Sequence, residues 1–542
     1  MQVSINQTLS SSGNRVFPGS EPPSTPSAPV VGDAVELSRA AGASPSAADA
    51  KATPYIITPP EGGKPLSREG LQRLLSQNGL RGSVLTDEIP LTGSITGRLD
   101  RATVAFLEKQ GYVLISDETQ KFILPHPNDQ KRQGTHFDDG KVATPPSPEP
   151  RPAQTESRFD AEMLQRFTGK GVNIAFLDTG VYPHPDFTRP NDRIVAFVDF
   201  VNGRSVPYDD NGHGTHVAGD AAGNGAMSEG LFRGPAPGAG IIGVKVLNSK
   251  GGGRTSDILK GINWVIENRE KYNIRVLNMS LGNRASVNAQ SDPIYQAVDR
   301  AVEAGIVVVA AAGNEGPEPH SINTPGDNPN VITVGAYDDN NTAEPSDDRI
   351  PDFSSRGPTY ANIAKPDILA PGEAIIGPNA PVSPTEEQAR KYEQINQTLQ
   401  WLRGLDDASL LRVPEDMLRL IGLTDETLQK IKDSPAQART EIERLIAATD
   451  RTPLVDTSYV GTPGTSVAAP IVSGVVAEML EANPELTPAE VKSILRDTAR
   501  PLPRYGAFSQ GAGAINPEDA VAAAYAKSPA GSQMTLDEAT AS

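Results

Sequence analysis

Four short apolar runs constrain this chain most: Ile174-Ala175-Phe176-Leu177, Ile241-Ile242-Gly243-Val244-Lys245-Val246, Val276-Leu277-Asn278-Met279 and Ile306-Val307-Val308-Val309-Ala310. Each is nearly continuous rather than alternating, the pattern of a strand covered on both faces. Helical patterns lie between them, over 255–271 and 293–304 among others. Covered strands separated by helices predict an α/β domain with three layers, a mostly parallel central sheet and helices on each side. Its bounds are drawn at 158–526.

A second unit precedes it. Residues 54–125 read as a strand at Tyr55-Ile56-Ile57, then a helix with Leu71, Leu74 and Leu75 at helical spacing. Strands follow at 82–85 and up to Ile95, a helix over 99–110 with Val104, Phe106 and Leu107, and strands at 112–115 and 122–124. The order β-α-β-β-α-β is a split βαβ plan, a small α+β front domain. Residues 1–53, rich in Ser, Pro, Ala and Gly, are expected to be a disordered leader. The 126–157 linker holds six prolines and no apolar period, which marks it as the kind of segment proteases cut. Residues 527–542 are expected to be a flexible tail. The stretch 380–452 interrupts the α/β rhythm with charged helical patterns. These are a capping box at Ser383-Pro384-Thr385-Glu386 and apolar positions at Met417, Leu418, Leu420, Ile421, Leu423, Leu428, Ile431, Ile442, Leu445 and Ile446. It reads as an inserted helical subdomain with a gating or partner role.

Composition removes several functions. Lys and Arg number 49 against 67 Asp and Glu, a net charge of −18, which repels phosphates and argues against nucleic acid or anionic membrane as partner. The chain has no Cys, which excludes disulfides, thiolate metal sites and a Cys nucleophile. No run approaches the length of apolar residues that a bilayer span requires. The N-terminus lacks a basic segment followed by an apolar one, so a Sec signal is not expected. That favours the cytoplasm, with export by a non-Sec route as the alternative.

Three polar islands sit where strands end. Asp178-Thr179-Gly180 follows the first apolar run. Gly212-His213-Gly214-Thr215-His216-Val217-Ala218-Gly219 places a histidine among small residues that let another backbone approach the ring. Two histidines three apart without a third ligand make a poor zinc site. Gly464-Thr465-Ser466-Val467-Ala468-Ala469-Pro470 opens a helical run with a serine flanked by small residues. Serine is a weak nucleophile that needs an adjacent base. His213 can accept its proton, and Asp178 can hold the imidazole in the right tautomer. The chain order Asp…His…Ser and the missing second glycine of G-x-S-x-G separate this set from the α/β-hydrolases.

In these three islands the chain resembles the subtilisin-like serine proteases (subtilases, peptidase family S8). The similarity covers about 160–526 outside the insert. It includes KVLNSKGGGRTSDILKGINWVIEN, NMSLG, AAAGNEG and VITVGAYDDNNTAEPSDDRIPDFSSRGPT. The segments around NMSLG and SDDRIPDFSSRGPT are similar to the bacterial AprX-like branch. The resemblance implies a serine endopeptidase acting through an Asp178–His213–Ser466 triad and an acyl-enzyme, on protein or peptide substrates. It implies that Asn314 is the oxyanion-hole amide, and that Ser280-Leu281-Gly282 and Gly251-Gly252-Gly253 pair with an extended substrate. It also implies that Ala310, Ala311 and Gly313 wall the pocket for the residue before the scissile bond. Val467 stands where many members carry Met, and Ala469 where Thr is common. By the same resemblance the front domain is a propeptide that inhibits the enzyme, the chain is a zymogen, and self-cleavage falls in 126–157. No cofactor is needed for the chemistry. Structural calcium is allowed by the family, but no metal ligand can be assigned. The competing reading is a non-catalytic scaffold that binds partners through the front domain and the insert.

Overall fold

A computed structural model describes residues 52–60, 62–121, 166–285, 292–340, 345–381, 397–410, 412–414, 418–419, 434–449 and 458–531. Leader residues 1–51, the linker, the strand expected at 122–124 and the capping box at Ser383 lie outside them, while Ala52 is buried and Thr53, placed in the leader by sequence, begins the first strand.

The front unit follows the split βαβ order: β1 (Thr53–Thr58), α1 (Arg68–Gln77), β2 (Val84–Ile89), β3 (Ser94–Leu99), α2 (Arg101–Lys109) and β4 (Val113–Ser116). Its sheet runs β2-β3-β1-β4, every pairing antiparallel. Asp100 accepts from the Thr103 amide at 2.7 Å and so starts α2. Leu99, expected to open that helix, is therefore the last residue of the strand before it. Ile57, Leu71, Leu75, Ile95, Leu99 and Leu107 fill the small core. A further strand, β5 (Gln120–Lys121), leaves this sheet altogether.

The large unit is built on β6 (Asn173–Asp178), β7 (Ile194–Asp199), α3 (His213–Ala222), β8 (Gly240–Lys245), β9 (Gly252–Gly253), α4 (Thr255–Asn268), β10 (Ile274–Met279), β11 (Asn283–Arg284), α5 (Pro293–Glu303), β12 (Val307–Ala311), β13 (Asn323–Thr324), β14 (Ile332–Tyr337) and β15 (Ile368–Pro371). Then come β16 (Ile375–Pro378), α6 (Pro435–Thr449), β17 (Tyr459–Thr462), α7 (Thr465–Ala482), α8 (Pro488–Thr498) and α9 (Pro517–Ala526). Seven strands form one sheet in the order β15-β14-β12-β10-β6-β8-β7, all parallel. From β6 the chain goes to β7 at one edge and returns to β8 between them. It then crosses to β10 and winds the other way. The strand ends flanking β6 and β10 are thus a topological switch point, where open α/β sheets place their sites.

One face packs under α3, α7, α8 and α9 through Val217, Ala221, Val472, Val476, Ile494 and Val521. The other packs under α4 and α5 through Ile258, Ile262, Ile294 and Val298. Ile56 and Ile89 of the front unit belong to that second cluster, so the front sheet docks on the α4/α5 side. Helix α7 is long and apolar enough to cross a membrane, yet 83% of it is buried inside the protein as the central core helix.

The insert is rooted in the antiparallel pair β16–β17 and carries a core of its own, including Leu399, Leu402, Leu410, Leu418, Ala438 and Ile442. Residues 527–531, expected to open a flexible tail, are ordered against the large unit, and the rest of that tail lies outside the described residues. Ser528 is buried, and its hydroxyl accepts from the Gly531 amide at 3.0 Å.

Candidate active site

Asp178 closes β6. In the register of β6 with β10, Phe176 lies opposite Asn278, so Asp178 and Ser280 stand side by side two steps further on. The Asp178 Oδ1 accepts from the Thr179 amide at 2.7 Å and meets His213 Nδ1 at 2.7 Å. Both residues are buried, at 1% and 7% exposure. Helix α3 reaches this close because Gly214 is bare: an added Cβ would stand 2.1 Å from the Gly180 carbonyl oxygen and 3.1 Å from Asp178 Cβ. A carboxylate on Nδ1 keeps the proton there and leaves the Nε2 lone pair free to act as a base.

Ser466 is the second residue of α7. Gly464 precedes the helix at φ +148°, a conformation that side chains disfavour, and offers no side-chain cap. Pro470, four residues on, has no N–H, so the Ser466 carbonyl loses its helical donor. Ser280 replaces it: its Oγ donates to that carbonyl at 2.6 Å and itself accepts from Asn278 Nδ2 at 2.9 Å. Asn278 Oδ1 accepts from the Ser473 hydroxyl at 2.9 Å, two turns deeper. The start of α7 is thereby pinned to the end of β10, beside the end of β6 that holds His213. Further along, a Cβ on Gly474 would lie 2.7 Å from the Ala221 carbonyl oxygen. Those residues are each eight positions beyond Ser466 and His213, so the two helices run level. His213 Nε2 and Ser466 Oγ are both buried, and neither makes a hydrogen bond among the described residues. The Asp178–His213 contact is formed; a bond from Ser466 to His213 is not. A lone-pair acceptor and a hydroxyl donor are left unspent at adjoining helix starts.

Asn314 lies beyond β12. Its Oδ1 accepts from the Thr465 amide and from the Thr465 hydroxyl, both at 3.0 Å. Only the oxygen can accept from an amide, which fixes the side chain with Nδ2 turned away from Thr465. Glu315, not among the residues expected at the site, accepts the Asn314 backbone amide on Oε2 at 3.0 Å. Burial pushes its carboxyl above the ordinary range. The adjacent Asn-Glu pair was the signal available for it.

The segments expected to pair with substrate are occupied by the chain itself. β5 runs antiparallel to β9, with Gln120 opposite Gly253 and Lys121 opposite Gly252. Asn283, next to Gly282, donates Nδ2 to Gln120 Oε1 at 2.8 Å. Gly251 forms the turn before β9, its amide bonding to the Asn248 carbonyl at 2.9 Å. Leu281 is buried and Gly282 abuts Asn323. Ala310 and Ala311 are core side chains on opposite faces of the sheet, so only their backbone can line a pocket. Gly313 donates its amide to Thr465 Oγ1 at 3.1 Å.

His216 does not share a site with His213. Its Nδ1 meets Asp220 Oδ2 and its Nε2 meets the Val460 carbonyl, both at 2.9 Å. Burial opposes charge on this ring, but the Asp220 carboxylate and the hydrogen bonds outweigh it and hold its pKa up. Among the described residues, no group of three or more His, Asp or Glu could hold a metal ion.

The switch point of the parallel sheet thus carries a buried Asp–His pair and, at a neighbouring helix start, a buried serine. The profile of the subtilase family, Peptidase_S8, matches residues 169–514. The chain is 41% identical over 375 residues to "Serine protease AprX" of Bacillus subtilis (strain 168), covering 68% of this chain and 70% of that relative. It is 37% identical over 221 residues to "Subtilisin DY" of Bacillus licheniformis, covering 40% of this chain and 70% of that one. The solved structure "S41 Psychrophilic Protease" overlays with a TM-score of 0.44 at 27% identity, covering 64% of this chain and 92% of that one. This chain belongs to the subtilase family.

Proposed function

We propose that the chain is a serine endopeptidase made as a zymogen. Ser466 Oγ attacks the scissile carbonyl as His213 Nε2 takes its proton, giving a tetrahedral intermediate and then an acyl-enzyme. Asp178 keeps the imidazole in its tautomer and stabilises the imidazolium. Asn314 Nδ2 donates to the oxyanion. His213 returns the proton to the leaving amine, and water repeats the sequence to release the acid. The observation that carries this reading is the Asp178–His213 contact at 2.7 Å set level with a Ser466 whose helix start is held by Ser280 and Asn314.

The front domain is read as the inhibitor. Its strand β5 lies against Gly252–Gly253 in the manner of an extended peptide added to a sheet edge, where backbone bonds give affinity. Release requires a cut within 126–157. N-terminal sequencing of purified wild type and Ser466→Ala tests this. Wild type is expected to be shortened, Ser466→Ala to stay intact, and only wild type to digest casein and take up a phosphonyl label. Identical full-length N-termini in both, with no casein digestion, refute the proposal.

A further inference from the structure

Lys245 is a lysine inside a parallel sheet. It closes β8, in register with Asp178 of β6 on one side and Asp199 of β7 on the other, and it is 0% exposed. A buried ammonium is strongly disfavoured unless partners take all its protons. Lys245 Nζ has three: the Thr179 carbonyl, Asp210 Oδ1 at 2.7 Å and the Leu247 carbonyl at 2.8 Å. The Tyr208 ring covers it at 5.2 Å.

Two of those partners belong to the loops that carry the site. Thr179 follows Asp178, and its hydroxyl receives the Gly214 amide at 2.9 Å. Asp210 lies three residues before His213. Its neighbour Asp209 accepts from the amides of Gly212 and Thr215, each at 2.9 Å, and so starts α3. One cation therefore stands where the loop bearing the carboxylate meets the loop bearing the base.

We propose that Lys245 is a positioning residue, which clamps Thr179 and Asp210 to one ammonium and so sets the separation of Asp178 from His213. This rests on the hydrolytic reading above. Methionine keeps the length and apolar stem of lysine but none of its donors, so Lys245→Met releases both loops without opening a large cavity. Asp210→Ala removes one anchor from a side chain that is 35% exposed, where the fold tolerates change.

The test uses full-length wild type, Lys245→Met and Asp210→Ala, each allowed to process. Each is assayed on a chromogenic peptide, with active sites counted by complete phosphonyl labelling. Lys245→Met is expected to label fully and to lose about 10²-fold in kcat per labelled site with KM within about twofold, the scale of a misplacement near one ångström. Asp210→Ala is expected to lose several-fold in kcat at unchanged KM. A Lys245→Met enzyme that loses only thermal stability or labelled fraction, with wild-type kcat per site, overturns the proposal. If Lys245→Met does not fold, unchanged kcat in Asp210→Ala overturns it alone. A wild type that neither labels nor cleaves refutes the hydrolytic reading, and this proposal with it.

Discussion

Asp117 joins the front domain to the large one. It is 3% exposed, and its Oδ1 accepts from the Ser256 amide at 2.9 Å while its Oδ2 accepts from the Ser256 hydroxyl at 2.7 Å. Helix α4 has no cap of its own, since Arg254 at its N-cap makes no side-chain bond there. The front domain thus supplies a carboxylate to the positive end of a helix in the other unit. Hydrogen bonds to a charged group contribute about 1.5–3 kcal/mol each, and Asp117→Ala removes two that share one carboxylate and leaves buried donors behind. Allowing for their overlap, docking weakens by about 2–4 kcal/mol, or roughly 30- to 700-fold. The nearby ion pair of Lys260 with Asp87 at 2.6 Å is 25% and 53% exposed, so water screens it. Asp87→Ala is therefore expected to cost less than about 1 kcal/mol. Amide exchange in the intact Ser466→Ala chain measures both. In Asp117→Ala the amide of Ser256 loses protection by the large factor, and in Asp87→Ala by less than about fivefold. Protection of Ser256 within threefold of the parent in Asp117→Ala, or an equal effect of Asp87→Ala, refutes the reasoning.

Two more outcomes follow from single side chains. Asn314→Ala is expected to lower kcat about 10²–10³-fold with little change in KM, a magnitude transferred from the corresponding subtilisin donor rather than worked out on this chain; steady-state kinetics on processed enzyme check it. Burial pushes the Asp327 carboxyl from 3.8 up to about 6, and its Oδ1 has no partner among the described residues. Its folded form favours the proton, so its contribution to stability is full below pH 3.8 and is lost as pH rises through about 6. Asp327→Asn is accordingly expected to raise the urea midpoint at pH 8 and leave it nearly unchanged at pH 4.

The elements legible from sequence are those whose cause is local. Continuous β-branched runs are strands wherever both faces are covered, and all four central ones stand where the pattern put them. A capping carboxylate acts over three residues, yet Asp100 shows how easily a boundary slips: apolar periodicity carried Leu99 into the helix, and one side-chain bond returned it to the strand. Asp178, His213 and Ser466 stood out because small residues around a polar one are unusual at strand ends and helix starts. Their roles also suggested the Asp178–His213 pairing, which the structure forms; what was not legible was the register that holds the segments together, because it links residues far apart in the chain. That Ser280 satisfies the carbonyl freed by Pro470 follows from where β10 ends against α7. That Gln120–Lys121 lies along Gly252–Gly253, rather than in its own sheet, follows from how the front domain docks. Lys245 looked like one more strand residue until two neighbouring strands and two loops surrounded it. Sequence by itself determined where the central strands and the helices beside them lie and which polar residues stand at their ends, since propensity and periodicity act within a few residues. Only the tertiary structure decided which remote group meets each buried donor and acceptor, since a hydrogen bond is satisfied by proximity in space and not along the chain.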